Sequence, residues 1–346
     1  MISRKGESYM EVTLKDIAKE CNVSFSTVSK ALKNSPEISQ KTIELVNSTA
    51  MALGYHPNAA ARALRTNRSY NIGVIFEDIT GSGLQHQYFA KIFDAINATA
   101  NKADYDITFL SNGGKQNYLA QAKYRGCDGV IIANASFRRS DVRELLESDI
   151  PICTLDKAYK NLHSSVISDN KEGFRALLEW IIKRGHRKIA FVHGESSEVT
   201  KVRMSVFNAI QKKYNLEIPA EWIIEATYHM PPSTRDATEK ILAMKDKPTC
   251  IVYPDDFSAL GGLDALHKHK LTPGKDISVA GYDGIFLATV MTPPLTTYEQ
   301  NTEELGRQLV TQLLANIEYS SSFAPSTIKV SGRLLEGQTV ADLSNS

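Results

Sequence analysis

The chain opens on a short-period helical pattern. From Thr13 it reads TLKDIAKECNVSFSTVSKAL, where Leu14, Ile17, Ala18 and Cys21 fall at helical spacing behind a Thr13/Asp16 start signal. That spacing predicts one short amphipathic helix stopping at Asn22. Ser24 can cap a second helix, with Phe25, Val28, Ala31 and Leu32 on its apolar side and Ser26, Thr27, Ser29 and Lys30 turned outward. Ser39 as cap, then Ile43, Val46, Ala50 and Leu53, predicts a third helix ended by Gly54. Two short helices joined by a three- or four-residue turn make a helix-turn-helix. The small, hydroxylated and basic outer face of the second suits entry into a DNA major groove. A plain pair of core-packing helices would share the apolar spacing.

The pattern changes at residues 69–71. Short, continuous apolar runs follow at 72–76, 107–110, 129–133, 152–155, 188–192, 250–253 and 277–281, each of the kind expected for a parallel strand covered on both faces. Helical patterns lie between them, as at 89–100, 173–183, 235–244 and 260–269. Such alternation predicts a doubly wound α/β fold with right-handed crossovers. About 260 residues of it exceed one comfortable sheet, and the runs do not reveal where the sheet divides.

Composition adds an asymmetry. The 346 residues carry a net charge of +1, yet up to residue 70 there are ten Lys/Arg against six Asp/Glu, and beyond it 30 against 33. The basic end is where a polyanion would dock, although a solvated basic face would look similar. Cys21, Cys127, Cys153 and Cys250 form no CxxC pair, which argues against a metal knuckle and a disulfide framework and fits a reducing cytoplasm. No apolar run approaches membrane length, and MISRKGESYM lacks the apolar centre of a signal peptide. Neither a GxGxxG after a strand nor a GxxxxGK[ST] loop is present; Gly113-Gly114 reads as a turn. His193 beside Glu195, and His267 with His269 near a helix end, offer no triad or HExxH arrangement, so no enzyme, cofactor or metal is expected.

Polar groups at the ends of the apolar runs are the candidates for a ligand cleft. Asp156 ends one run, Asp255 and Asp256 follow CIVYP, and Asp283 follows VAGY. A carboxylate paired with arginine can hold adjacent hydroxyls of a sugar, while an acid after a strand is also a common helix cap.

The ordered set VTLKDIAKECNVSFSTVSKAL, ISQKT, YHPNAAARAL, KRGHRKIAFV, DISVAGYDG and PPLTT resembles the lactose-repressor (LacI/GalR) family of bacterial transcription regulators. The likeness covers nearly the whole chain, from Val12 to about Leu335. It implies an N-terminal all-α helix-turn-helix DNA-binding domain plus hinge helix, then a two-lobed α/β periplasmic-binding-protein-like effector domain of parallel doubly wound sheets. The expected division is a disordered arm at 1–10, the helix-turn-helix domain at 11–56, hinge helix and linker at 57–69, and the effector and dimerisation domain at 70–340. Within the last, lobe 1 is expected at about 70–160 and 293–323, and lobe 2 at about 164–290 and 326–340. Phe25, Ser26 and Lys30 match positions facing base edges, while Thr13, Ser24, Thr27, Ser29, Ser39, Thr42, Tyr55 and Asn58 match phosphate-contacting ones. Ala61 and Leu64 match hinge residues in the minor groove, Leu64 as the apolar wedge. Asp156, Arg203, Asp255, Asp283 and Gln300 match ligand-contacting positions, with Tyr228 where an aromatic ring lies against the ligand.

Two departures bear on that ligand: Asp255 stands where the family usually has Asn, and RMSVF (203–207) lacks the glycine expected after the arginine. With Glu77 and Asp78 near the first strand's end, the cleft reads as acid-rich, favouring a polyol or a cationic amino-sugar over an anionic ligand. The resemblance therefore implies a cytoplasmic homodimer that binds operator DNA under control of a small, carbohydrate-like effector. Two alternatives share the two-lobed fold: a sugar-binding receptor of a transport system, and a regulator answering to a protein co-effector.

Overall fold

The structure, a computed structural model, describes residues 12–32, 34–55, 63, 66, 68–78, 81–111, 117–320 and 322–344. It divides into two compact units between Ser69 and Tyr70. The expected N-terminal arm, the glycine turn at 113–114, and Asn58, Ala61 and Leu64 of the hinge lie outside the described residues.

The first unit is α1 (Leu14–Glu20), α2 (Phe25–Ala31) and α3 (Gln40–Ala52). Asp16 opens α1 by accepting hydrogen bonds from the Thr13 backbone N–H at 2.8 Å and its hydroxyl at 2.7 Å. Each helix ends on a left-handed residue, Asn22 (φ 53°), Asn34 (φ 50°) and Gly54 (φ 69°). After each, the next amide turns back onto the helix, Val23 to Ala18 O at 3.0 Å, Ser35 to Lys30 O at 3.1 Å and Tyr55 to Ala50 O at 2.9 Å. Ile17, Ala18, Cys21, Val28, Ala31, Ile43, Val46 and Ala50 form its core. Phe25 is not part of that core: it begins α2 and is 47% exposed, so the apolar side of α2 is Val28, Ala31 and half-buried Leu32.

The second unit holds a six-stranded parallel sheet and a four-stranded one. The six strands are β1 (Asn71–Phe76), β2 (Asp106–Leu110), β3 (Gly129–Asn134), β4 (Ile152–Leu155), β5 (Ser164–Ser168) and β11 (Thr327–Val330), in the order β11-β5-β4-β3-β1-β2. Helices α4 (Gln87–Lys102) and α12 (Thr302–Glu318) pack on one another, with Ile72, Val74 and Ile131 in the same core. Ile75, Val130 and Ile132 instead join a core shared with α5 (Tyr118–Tyr124) and α6 (Ser140–Leu146). Adjacent residues thus face opposite layers, which is why these strands read as continuous apolar runs.

The four strands are β6 (Ile189–His193), β7 (Ile223–Glu225), β8 (Cys250–Val252) and β9 (Ser278–Ala280), in the order β7-β6-β8-β9. Phe191 and Val252 face α7 (Asn170–Lys183) and α8 (Glu198–Lys213), while Ala190, Val192 and Ile251 join the core with α9 (Pro231–Ala243) and α10 (Asp256–Lys268). α9 and α10 meet backbone to side chain: a Cβ on Gly261 would lie 1.8 Å from the Pro231 carbonyl oxygen. After α11 (Phe286–Val290), β10 (Thr297–Glu299) pairs antiparallel with β12 (Arg333–Leu335).

Sheet membership corrects the expected lobe boundaries. Residues 164–168 and 327–330 are β5 and β11 of the first lobe, not the second, because they pair with each other and β5 with β4. Residues 296–299 belong with the second lobe, not the first, since bridges Ala280/Thr296 and Asp283/Glu299 join them to the end of β9. The chain therefore crosses near Asp169, near Asn301 and at 331–332. Asp169 and Asn301 cap α7 and α12, accepting from the amides of Glu172 at 3.2 Å and Glu304 at 3.1 Å.

Candidate functional site

In the first unit, the hydroxyl residues named from sequence gather at helix starts. Ser24 accepts from the Thr27 amide at 3.0 Å, and its hydroxyl also lies 2.8 Å from those of Ser26 and Thr27. Ser39 and Thr42 repeat the arrangement at α3, with hydroxyls 2.8 Å apart. Phe25, Ser26 and Lys30 are exposed along α2, with Thr27 and Ser29 half-buried beside them. Tyr55 packs against the core from the end of α3. Lys30 Nζ is hydrogen-bonded to Glu37, a partner that sequence reading did not pair with it.

In the second unit, strand ends of both lobes converge. Asp156 follows β4 with φ 56°, and its carboxylate accepts from the Ser168 amide at 3.0 Å. Asp283 (φ 108°) accepts from Gln300 Nε2 at 2.5 Å, and Gln300 Oε1 lies 3.5 Å from the hydroxyl of Tyr88 on α4. Gln300 therefore links the second lobe's acid to the first lobe's helix at one of the crossings.

Arg203 on α8 is 3% exposed and largely committed. Its Nε donates to Asn170 Oδ1 at 2.9 Å, its Nη1 to the Pro254 carbonyl at 2.6 Å, and its guanidinium lies 3.7 Å over the Tyr282 ring. Asp255 acts as the cap of α10, accepting from the Ser258 amide and hydroxyl at 2.7 Å each and from the His229 amide at 2.9 Å. Asp256 is likewise structural, bonded by the Ile285 amide at 2.9 Å and the Thr297 hydroxyl at 2.5 Å. Glu77 and Asp78 are partly engaged too, Glu77 by Arg139 and Tyr118 at 2.8 Å, Asp78 by the Gly83 amide at 2.6 Å.

Burial dominates the electrostatics. It pushes the Asp156 carboxyl up to about 6, against the Ser168 hydrogen bond and the charge of Arg203. Burial and then the Asp255 charge drive Asp283 well above the usual carboxylate range. Asp156 and Asp283 both feel the charge of Arg203, and the burial that drives Asp283 above the carboxylate range favours its protonated form, which offers a donor beside its acceptors.

Tyr228 does not face the opposite lobe. Its hydroxyl lies 2.9 Å from that of Thr200, and its ring lies against Gly194, where a Cβ would come within 2.0 Å of Cε2. Its neighbour His229, at φ 53°, reaches across instead and stacks on His86 of the first lobe, centroids 3.7 Å apart and planes 14° apart. Phe257 continues the stack at 4.1 Å from His229. Burial and then the charge of His229 hold His86 down to about 4, and burial lowers His229 as well. Tyr88, Tyr282, His86 and His229 were all missed from sequence. Tyr228, named from sequence, precedes His229 directly, and the charges of Arg203, Asp255 and Asp283 act on its phenol.

A helix-turn-helix head joined in one chain to two parallel α/β lobes with polar strand ends between them defines a DNA-binding regulator with a ligand-sensing domain. Residues 13–58 match the bacterial regulatory proteins of the lacI family, and residues 178–340 the periplasmic binding protein-like domain. Among relatives, the "Probable HTH-type transcriptional repressor ExuR" of Bacillus subtilis is 31% identical, over 89% of this chain and 93% of its own length. The HTH-type transcriptional repressor PurR of Pasteurella multocida is 30% identical over the same shares. A Lac repressor dimer bound to operator and the anti-inducer ONPF superposes with a TM-score of 0.77 at 25% identity, covering 96% of this chain and 99% of that one. The chain belongs to the LacI family, and it is a DNA-binding transcriptional regulator. Among the described residues no helix is long and apolar enough to cross a membrane.

Proposed function

We propose that the protein is a cytoplasmic, homodimeric repressor whose operator affinity is set by a small carbohydrate held between the two lobes, with no catalytic activity of its own. DNA contacts are assigned to Thr13, Ser24, Phe25, Ser26, Thr27, Ser29, Lys30, Ser39, Thr42, Tyr55, Asn58, Ala61 and Leu64, and effector contacts to Asp156, Arg203, Tyr228, Asp283 and Gln300. Asp255 supports the effector site through the backbone of His229. The observation that carries the reading is the Asp283–Gln300–Tyr88 connection, which ties a strand-end acid of one lobe to the other at a crossing. A ligand seated there favours one lobe angle over another and so shifts a two-state equilibrium.

The acids at these strand ends support a hydroxyl-rich ligand, neutral or carrying an amine, over a uronate or sugar phosphate, whose charge would meet theirs. The test is a thermal-shift screen of neutral sugars, amino-sugars, uronates and sugar phosphates against the full chain. A ligand bound only by the folded state at 100 times its Kd adds about 2.7 kcal/mol of stability. Selective stabilisation by hydroxyl- or amine-bearing sugars supports the reading, and selective stabilisation by the anionic sugars overturns the ligand class.

A further inference from the structure

Glu37 is an acid on a surface built to meet a polyanion, and the role of Lys30 alone does not account for it. It lies in the turn between α2 and α3, seven residues beyond Lys30. That turn is pinned: the Ser35 amide bonds the Lys30 carbonyl at 3.1 Å, the Ile38 amide bonds Ser35 O at 3.0 Å, and Ile38 packs against the core. Glu37 is therefore presented from a fixed backbone, with its carboxylate on the lysine's ammonium and both side chains exposed. The hydrogen bond from Lys30, then its charge, holds the Glu37 carboxyl below the usual range. Any carboxylate brought to duplex DNA opposes binding electrostatically, so a surface selected for affinity alone would not place one here.

We infer that Glu37 is a specificity-determining residue that reads DNA jointly with Lys30. An ammonium has three donors and the pair uses one, leaving two for the O6 and N7 acceptors of a guanine. The carboxylate keeps lone pairs that can accept from the N4 amino group of a cytosine. Guanine O6 and cytosine N4 lie side by side on the major-groove edge of one base pair. A donor and an acceptor already held at hydrogen-bond distance match that edge as a unit. The pairing also restrains a lysine that would otherwise act as a flexible point charge toward any phosphate. Glu37 thus raises specificity by narrowing what Lys30 accepts, at a cost in affinity for random sequence.

The experiment uses the full chain and an operator selected by the wild-type protein from random duplexes. Binding of Glu37→Gln, Glu37→Ala, Lys30→Ala and the double variant Lys30→Ala/Glu37→Gln is titrated on that operator, on versions with each base pair exchanged, and on random duplex. Thermal midpoints of the variants confirm that this exposed position leaves the head folded. Both Glu37 variants should bind random duplex more tightly while losing about 5-fold or more of the discrimination at one G·C pair, the scale of a direct base contact. Lys30→Ala should lose discrimination at that same pair, and the double variant should lose no more than Lys30→Ala does. If both Glu37 variants strengthen operator and random duplex by one common factor, with base preferences unchanged, Glu37 is merely repulsive and the inference fails. Unchanged binding in both, or discrimination lost at different base pairs for the two residues, overturns it as well.

Discussion

Lys30 stands at the end of α2 on the face shared with Ser26, and its replacement separates base reading from phosphate attraction. Lys30→Ala, which also leaves Glu37 unpaired, should weaken operator binding by about 1–3 kcal/mol more than it weakens random-duplex binding. An equal loss on both in a fluorescence-anisotropy titration would mean that it contacts only phosphate. The His86–His229 stack gives the effector domain a pH dependence of known sign. A histidine has an ordinary value of 6.5, and His86 is held at about 4 in the stack, so the stacked state favours the neutral ring. Its contribution is fully present above 6.5 and is lost as pH falls toward 4. Asp78 and Asp255 face both rings and oppose part of the effect. Asp156 and Asp283, raised by burial, stabilise in the opposite direction as pH falls, but they are common to wild type and variant. His86→Phe keeps a flat ring and removes the titration. Its thermal midpoint should gain on wild type as pH is lowered from 6.5, and a difference that stays flat with pH would show that the imidazoles do not bury one another. The acids of this cleft were legible as strand-end carboxylates. His229 was not, because its left-handed backbone sets where its ring points, and spacing alone carries no sign of such a backbone.

Among the elements, the strands buried on both faces announced themselves as apolar runs, and β1, β3, β4, β6 and β8 lie on them within a residue or two. β5 reads SSVIS, and its Ser164, Ser165 and Ser168 are buried, with Ser164 and Ser165 hydrogen-bonded to Ser326, just before β11, and to Thr327 at its start. A polar strand satisfied by side-chain hydrogen bonds has no hydrophobic signature, so the apolar runs could not place it, and the boundary implied by the family resemblance fell on its wrong side. β10 and β12 are three residues each, too short for any periodicity to register. The helices named from spacing missed mainly at their ends, where caps set the first residue, while α5, α6, α8, α11 and α12 were not named at all. The α9–α10 contact offers a test of packing at this scale. Gly261→Ala would place a methyl group 1.8 Å from the Pro231 carbonyl and 2.5 Å from Thr234 Oγ1, both held within the contact. Urea unfolding should show a loss of about 1–3 kcal/mol or more, with operator binding at low temperature preserved, and a neutral result would mean that the two helices separate freely.

For the whole molecule, ligand and DNA must report on the same pair of states, and linkage makes their coupling equal in both directions, typically 5- to 150-fold. Asp283→Ala should abolish the effect of the screened ligand on operator affinity and leave ligand-free affinity near wild type, because Asp283 lies in a separate compact unit from the helix-turn-helix. Operator titration with and without ligand decides it: a full response in the variant removes the cleft as the sensing site. The three crossings have one more consequence, in the order in which the protein comes into being. The head has its own core and all of its described helices by residue 55. The six-stranded sheet is assembled from two separate stretches of chain, and its outer strand β11 is not made until residue 330. During synthesis β5 therefore waits with an open edge while most of the second lobe is made, and a chain stopped short of β11 carries the core of the head with an unfinished sensor. Such a fragment has no lobe angle for a ligand to set.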